Sequence, residues 1–100
     1  MKKPNKAVVA RNAYELADAL GLTPADAVEI EVRSALNDKI VEIVKKHDRT
    51  HAQAAKIAQT SRTRLTAILN RNTHGVSTDL MLRILARLGY RAKISFSRAA

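Results

Sequence analysis

Two short segments with helical spacing follow one another between residues 50 and 70, and each begins at its own capping residue. Thr50 and Gln53 form a capping-box pair, in which the Thr hydroxyl accepts from a first-turn amide and the Gln side chain bonds back to the cap. A second capping residue follows at Thr60 or Ser61. Because so few residues separate the two segments, the sequence predicts two helices joined by a tight turn.

The small and apolar residues of this pair predict how the helices pack. Ala55 falls where the two helices come closest, and a side chain larger than a methyl group would push them apart. The other apolar positions of the pair are Ala54, Ala58, Leu65 and Ile68. Packing through these residues leaves the polar side of the second helix outward, in a helix-turn-helix that spans about His51 to Asn70.

The outward side of the second helix carries cationic and hydroxyl groups. They are Ser61, Arg62, Thr63, Arg64 and Thr66. An arginine can donate two hydrogen bonds to O6 and N7 of one guanine, and hydroxyls bond phosphates or base edges. A helix presented in this way fits the DNA major groove, which is about 12 Å wide. The pattern therefore predicts a DNA-binding protein.

The distribution of charge supports a polyanionic partner. The net charge is +9, and residues 49–100 carry ten basic side chains and one acidic side chain, whereas residues 1–48 carry eight of each. Nucleic acid is the partner that such an asymmetry favours. A solvated basic surface is the alternative, and for Lys45, Lys46 and Arg49 both solvation and phosphate contact remain open.

Helical signals also flank the central pair. Thr23 and Pro24 predict the start of a long helix, which the basic residues Lys45 and Lys46 close. Its apolar stripe is Val28, Val32, Leu36, Ile40, Ile43 and Val44. After the pair, Ser77 caps a further helix that Gly89 ends.

The first 22 residues are predicted to form an N-terminal arm. A short helix is expected there from about Ala7 to Leu20, ended by Gly21. Residues 23–100 then form the DNA-binding domain.

The last residues change from a helical period to alternation. The apolar positions are Tyr90, Ala92, Ile94 and Phe96, and basic or hydroxyl residues lie between them. This pattern predicts a strand over residues 90–97. Because one strand cannot pair its backbone alone, we expect it to pair across a homodimer.

Composition argues against several other classes of protein. The chain has no cysteine, which excludes disulfides and thiol chemistry and favours the cytoplasm. No apolar run approaches a membrane span. Its three histidines lie on three different elements, and Glu29 and Glu31 point to different faces of one helix. We therefore expect no metal, no cofactor and no enzymatic activity.

The order and spacing of these segments resemble the Xre-like helix-turn-helix family, especially the short HigA-like antitoxins and related regulators. The resemblance covers about Thr23 to Phe96. The matching segments are THAQAA at the bracing helix, SRTRLTAILNR at the recognition helix and STDLMLRILARLGY at the next helix. It implies a mostly α fold, a five-helix, lambda-repressor-like domain with the C-terminal strand in a homodimer.

The resemblance also implies roles for individual residues. The base-facing residues would be Arg62, Thr63, Arg64 and Thr66. The residues at phosphates or at the edge of the recognition helix would be His51, Gln53, Ser61, Asn70 and Arg71. Gln59 stands where the family usually has Gly, so a left-handed backbone there would cost roughly 1 kcal/mol more.

The function that the resemblance implies is a repressor that binds an inverted-repeat operator as a homodimer. Many proteins of this kind also neutralise a RelE-like ribonuclease toxin and repress their own operon. The alternative is a protein-interaction module that mainly masks such a toxin, with DNA binding secondary.

Overall fold

The computed structural model describes Glu15 and residues 18–98. Four complete helices lie within these residues: α1 (Pro24–Lys46), α2 (His51–Ala58), α3 (Arg62–Leu69) and α4 (Thr78–Arg87). The chain divides into two compact units, Met1–Ala35 and Leu36–Ala100. The division into an arm of residues 1–22 and a domain of residues 23–100 stays a prediction.

The first unit contains the start of α1, which is capped as the sequence predicts. The Thr23 hydroxyl accepts from the Asp26 amide at 3.2 Å, and the Thr23 amide donates to the Asp26 carboxylate at 2.9 Å. Hydrogen bonds from the Thr23 amide and then from its hydroxyl hold the pKa of Asp26 below its usual value. Pro24 occupies the first helical position, where it forfeits no hydrogen bond.

The predicted apolar stripe of α1 is buried over only part of its length. In the first unit Val28 is 46% exposed and Val32 is 44% exposed, while Ala27 is fully buried. In the second unit the stripe is buried at Leu36 and at all its later positions. The helical period therefore identified the helix, but it did not identify which of its turns are buried in the core.

Most of the helix predicted from Ala7 to Leu20 lies outside the described residues. Asp18 and Ala19 are helical, and the Gly21 amide donates to the Asp18 carbonyl at 3.1 Å. Gly21 has a φ of 74°, in the left-handed region that glycine adopts without a Cβ clash.

The core of the second unit receives residues from all four helices. Its largest fully buried side chains are Ile40, Ile43, Leu65, Ile68, Met81 and Ile84. The small residues of α2 complete it, and Val76 joins it from the loop before α4. Burying a side chain such as Ile or Leu stabilises a fold by about 1.5–3 kcal/mol, so this aliphatic core holds the short helices in place.

Left-handed residues follow each of the four helices. They are Asp48, Gln59, Arg71 and Gly89. In each case the next amide bonds back to a carbonyl five residues earlier, as the Thr60 amide does to the Ala55 carbonyl at 3.0 Å. These bonds satisfy carbonyl groups that a helix end leaves unpaired. Sequence reasoning identified this ending at Gly89, because glycine is its usual signal.

The C-terminal segment corrects the predicted fold class. The protein is mostly helical, but its described residues hold four complete helices and no strand, so the prediction of five helices with a C-terminal strand is wrong. Tyr90 packs against the core, whereas Ala92 is exposed, Ile94 is 75% exposed and Phe96 is 94% exposed. Alternating residue types would give a strand one apolar and one polar face. A strand also needs a neighbouring backbone with which to form hydrogen bonds. Within the described part of the chain, this segment has no such neighbour.

Among the helices of the described residues, none is both long enough and apolar enough to cross a lipid bilayer.

Candidate nucleic-acid interface

Helices α2 and α3 form the helix-turn-helix that the sequence predicts. On α2, Thr50 and Gln53 make the expected capping box, with the Gln53 amide donating to the Thr50 hydroxyl at 3.1 Å. On α3 the cap is Ser61, whose hydroxyl accepts from the Arg64 amide at 3.0 Å. Each helix has eight residues, and the two pack against each other.

The side of α2 that faces the core carries only alanines. Ala54, Ala55 and Ala58 are buried. Because a methyl group is small, such a surface lets neighbouring helices approach closely, and the closest contact between α2 and α3 at Ala55 stays a prediction. Helix α4 is also held to α2, since the Arg87 guanidinium donates to the Ala58 carbonyl at 3.3 Å.

The turn between α2 and α3 contains no glycine. Gln59 takes the left-handed conformation, with φ 55° and ψ 46°. The Thr60 hydroxyl oxygen is buried, and it has no partner among the described residues. The turn is therefore held by the packing on both sides of it and by the backbone bonds of Gln59 and Thr60.

Two large residues and one hydrogen bond anchor α3. Leu65 and Ile68 are fully buried. The buried side-chain amide of Asn37, on α1, donates to the Ile68 carbonyl at 2.8 Å. A buried polar side chain with a good acceptor fixes position as well as orientation. Sequence reasoning missed Asn37, because a single polar residue next to an apolar stripe carries no signal of its own.

The outward side of α3 presents the charged groups predicted to contact bases. Arg62, Thr63 and Arg64 are all exposed. Among the ion pairs of the described residues, none involves either arginine. Both guanidinium groups therefore keep their donors for a ligand.

Thr66 is placed differently from the other predicted base contacts. It is half-buried, and its hydroxyl lies 3.0 Å from Nδ1 of His51. The bond links the start of α2 to the middle of α3. The structure thus gives Thr66 a partner inside the motif, and its contact with a base stays a prediction.

Of the five predicted phosphate or edge contacts, His51 bonds to Thr66, and the other four fall into two groups. Gln53 and Ser61 are exposed and use their oxygens as caps, since Gln53 Oε1 accepts from the Thr50 amide at 2.9 Å. Asn70 and Arg71 lie at the end of α3, where Arg71 forms an ion pair with Asp38 of α1. These side chains lie on α2 and at the two ends of α3, and their phosphate contacts stay predictions.

Two concavities lie beside the motif, and the first of them includes residues that the sequence did not single out. One, of about 370 Å³, lies beside α3 and brings Asn72 and His74 of the following loop to Thr63 and Arg64. The other, of about 490 Å³, includes Lys45 and His51. Loop residues such as Asn72 have no periodicity, so only the fold could place them.

Metal-binding clusters are also absent from the part of the chain that the structure describes, where no three His, Asp or Glu side chains come together.

Comparison with known families finds a match. A family model described as a helix-turn-helix domain matches residues 16–97. The match therefore covers most of the chain, including all four helices. Comparisons with curated proteins and with solved structures found no match.

Proposed function

The chain belongs to the helix-turn-helix domain family, a family of DNA-binding regulators, and we propose that it is a transcriptional regulator that reads a specific double-stranded DNA sequence through α3. The observation that carries the proposal is the state of Arg62 and Arg64. Both are exposed on a helix whose opposite side is anchored in the core by Leu65 and Ile68. Neither is paired with an acidic side chain of the described residues. The proposed role is recognition without catalysis.

In the proposed complex, different side chains contact the bases and the phosphates. Arg62 and Arg64 donate to guanine edges, since the planar guanidinium can bond O6 and N7 together. Thr63 lies between them and contacts a base edge or a methyl group. Gln53 and Ser61 border the helix and contact phosphates, which position the protein on DNA without reading its sequence.

A binding experiment with two duplexes tests the proposal. Fluorescence anisotropy is measured with the DNA upstream of the gene and with a shuffled duplex, at several salt concentrations. A preference of a hundredfold or more for the upstream DNA, retained at physiological salt, supports sequence-specific regulation. Equal binding that disappears with salt contradicts it, because non-specific binding is dominated by counterion release.

A double variant connects the preference to α3. Arg62→Gln with Arg64→Gln should abolish the preference for the upstream DNA. The matched control, Arg91→Gln with Lys93→Gln, removes the same charge from exposed residues outside the helices. If both double variants lose the preference equally, total charge rather than α3 determines recognition.

The finer form of the proposal is an autoregulatory repressor that binds an inverted repeat as a homodimer. Its support is the resemblance of the α2 and α3 segments to Xre-like and HigA-like regulators. Two recognition helices related by a twofold axis read half-sites about one DNA turn apart. Footprinting on the upstream DNA should therefore show two protected half-sites, and a single protected half-site would argue for a monomer.

Binding to a basic protein, such as a RelE-like toxin, is a second candidate function. The observation that favours it is the surface of the first unit, where the half-exposed Val28 and Val32 lie one helical turn apart, with the exposed carboxylate of Glu29 on one side of them and that of Glu31 on the other. Apolar contact combined with acidic groups suits a basic partner. Co-purification with the product of a neighbouring gene, lost in Val28→Asp with Val32→Asp, tests this candidate.

A further inference from the structure

A hydrogen bond between α2 and α3 involves a titratable side chain. Nδ1 of His51, at the start of α2, lies 3.0 Å from the hydroxyl oxygen of Thr66, in the middle of α3. Both residues are half-buried. Thr66 lies one helical turn after Arg62 and Thr63, on the helix that is proposed to read DNA. A partly exposed hydroxyl of this helix is therefore held by a histidine.

This bond can run in two directions, and they leave the hydroxyl in different states. When Nδ1 of His51 carries no hydrogen, it accepts, and the Thr66 hydroxyl uses its one hydrogen on it. The hydroxyl then offers only lone pairs to a third group. When Nδ1 carries a hydrogen, it donates to the hydroxyl oxygen, and the hydroxyl hydrogen becomes available to another acceptor. The direction of the bond thus decides whether Thr66 accepts from a ligand or donates to it.

The charge of the imidazole ring limits the direction of the bond. A neutral imidazole has one N–H and one free nitrogen, whereas the charged ring has an N–H at both positions. A charged His51 can therefore only donate to Thr66, and the Thr66 hydroxyl can donate to His51 only while the ring is neutral. Histidine is the side chain that ordinarily changes its charge between about pH 5 and 8.

The other charged groups around this bond are lysine, arginine and aspartate side chains. They are Lys45, Asp48 and Arg49, which line a cavity with His51, Arg71, which lines the same cavity and pairs with Asp38, and Arg62, one turn before Thr66. Helix α4 also packs against α2, but its Arg87 bonds to the Ala58 carbonyl at the opposite end of α2. Side chains of these three types ordinarily keep their charge between about pH 5 and 8. His51 is the one histidine of this group.

We propose that His51 determines which base Thr66 reads, with Thr66 as an acceptor while the ring is neutral and as a donor once the ring is charged. The inference rests on the proposed function, in which α3 lies in the major groove. In that groove cytosine presents a donor, its N4 amino group, whereas guanine presents the acceptors O6 and N7. A neutral His51 therefore favours cytosine opposite Thr66, and a charged His51 favours guanine. His51 is a positioning residue in this role, because the hydroxyl of Thr66 makes the contact with the base.

The first arm of the test measures the ring of His51 by NMR, in the full chain without DNA. Nitrogen-15 chemical shifts distinguish a free nitrogen from an N–H at each ring position. At about pH 8 we expect a free Nδ1 and a hydrogen on Nε2, and at about pH 5.5 an N–H at both positions. A hydrogen on Nδ1 at the higher pH overturns the inference, since the bond would then keep one direction throughout.

The second arm measures base preference at the same two pH values. Fluorescence anisotropy is recorded with a panel of upstream duplexes in which each base pair in turn is set to G·C and to C·G. The base pair that Thr66 reads is the one at which Thr66→Val, which removes the hydroxyl and keeps the branched shape, abolishes the preference. There the ratio of the two affinities should shift toward guanine by about fivefold at the lower pH, because one hydrogen bond contributes about 1 kcal/mol.

Matched variants separate His51 from the other two histidines. His47→Gln and His74→Gln each remove an exposed ring outside the bond and should keep the shift. His51→Gln should give one ratio at both pH values, and His51→Asn repeats this measurement if His51→Gln does not fold. Thr66→Ser retains the hydroxyl and should keep the shift.

The two arms distinguish the inference from the proposed function. A free Nδ1 at the higher pH, together with a shift that His51→Gln removes, supports the inference. It is wrong if the ratio does not change with pH, if the shift remains in His51→Gln, or if Thr66→Val keeps every preference. Equal binding of the wild type to upstream and shuffled DNA contradicts the proposed function and the base contact with it, while the nitrogen shifts still decide the direction of the bond.

Discussion

Helices α2 and α3 have the same length and lie next to each other in the chain, yet they bury different kinds of residue. α2 buries Ala54, Ala55 and Ala58, whereas α3 buries Leu65 and Ile68. Small side chains bring helices close but contribute little apolar area, and large ones anchor a helix firmly. Helix α2 therefore sets the distance within the motif, while α3 is fixed by its large buried side chains, which leaves its outward side exposed.

Loss of an anchor should produce the largest change. Ile68→Ala removes a fully buried side chain from α3 and is expected to lower the free energy of unfolding by about 2–5 kcal/mol. Urea denaturation followed by circular dichroism measures it. Leu82→Ala, at a 40% exposed position of α4, is the control and should lose much less. Equal losses would mean that Ile68 does not anchor α3.

A larger residue in α2 tests whether its alanines set the distance between the helices. Ala55→Leu should destabilise the fold by about 1–3 kcal/mol, because the core has no room for three more carbons. The same substitution at the exposed Ala52 of α2 is the matched control and should have little effect. If Ala55→Leu unfolds at the same urea concentration as the wild type, the alanines of α2 do not set the distance between the helices.

Removal of one outward group of α3 should change binding and leave stability as it is. Arg64→Ala is expected to weaken binding to the upstream DNA by about 1–3 kcal/mol and binding to shuffled DNA only slightly. Anisotropy on both duplexes, with a thermal melt of each variant, measures the two effects. Equal weakening on both duplexes would reassign Arg64 to a phosphate contact.

The turn that joins the two helices should give the smallest change, in the stabilising direction. Gln59→Gly removes the Cβ from a left-handed residue and is expected to stabilise the fold by up to about 1 kcal/mol. Gln53→Gly, within α2, is the matched control and should destabilise it by removing half of the capping box. A loss of stability in Gln59→Gly would show that the Gln side chain contributes contacts that outweigh the strain.

Glycine explains part of what could be predicted at helix ends. Gly89 signalled the end of α4, while Asp48, Gln59 and Arg71 take the same left-handed conformation without glycine. Unbranched L-residues such as these can be held there when the packing on both sides compensates roughly 1–2 kcal/mol of strain. The left-handed residues at Asp48 and Arg71 therefore had no signal in the sequence.

The candidate site was predictable to a similar extent. The exposure of Arg62 and Arg64 followed from the helical period of α3 and from its cap, so it could be predicted from the sequence. The bond between His51 and Thr66, the ion pair between Arg71 and Asp38, and the orphan nitrogen of Arg49 could not. Each depends on which residues distant in the chain become neighbours.

By itself the sequence determined the local features: where each helix starts, which of its sides is apolar, and where positive charge accumulates. These follow from interactions between residues three or four positions apart, such as Thr50 with Gln53, and from the charges themselves. The tertiary structure alone decided that Val28 and Val32 stay half-exposed, that residues 90–97 form no strand, and that Arg49 lies beside a cavity. The reason is physical: burial and backbone pairing need a partner surface, and a pattern along the chain states what a segment can pair with but not whether a partner is there.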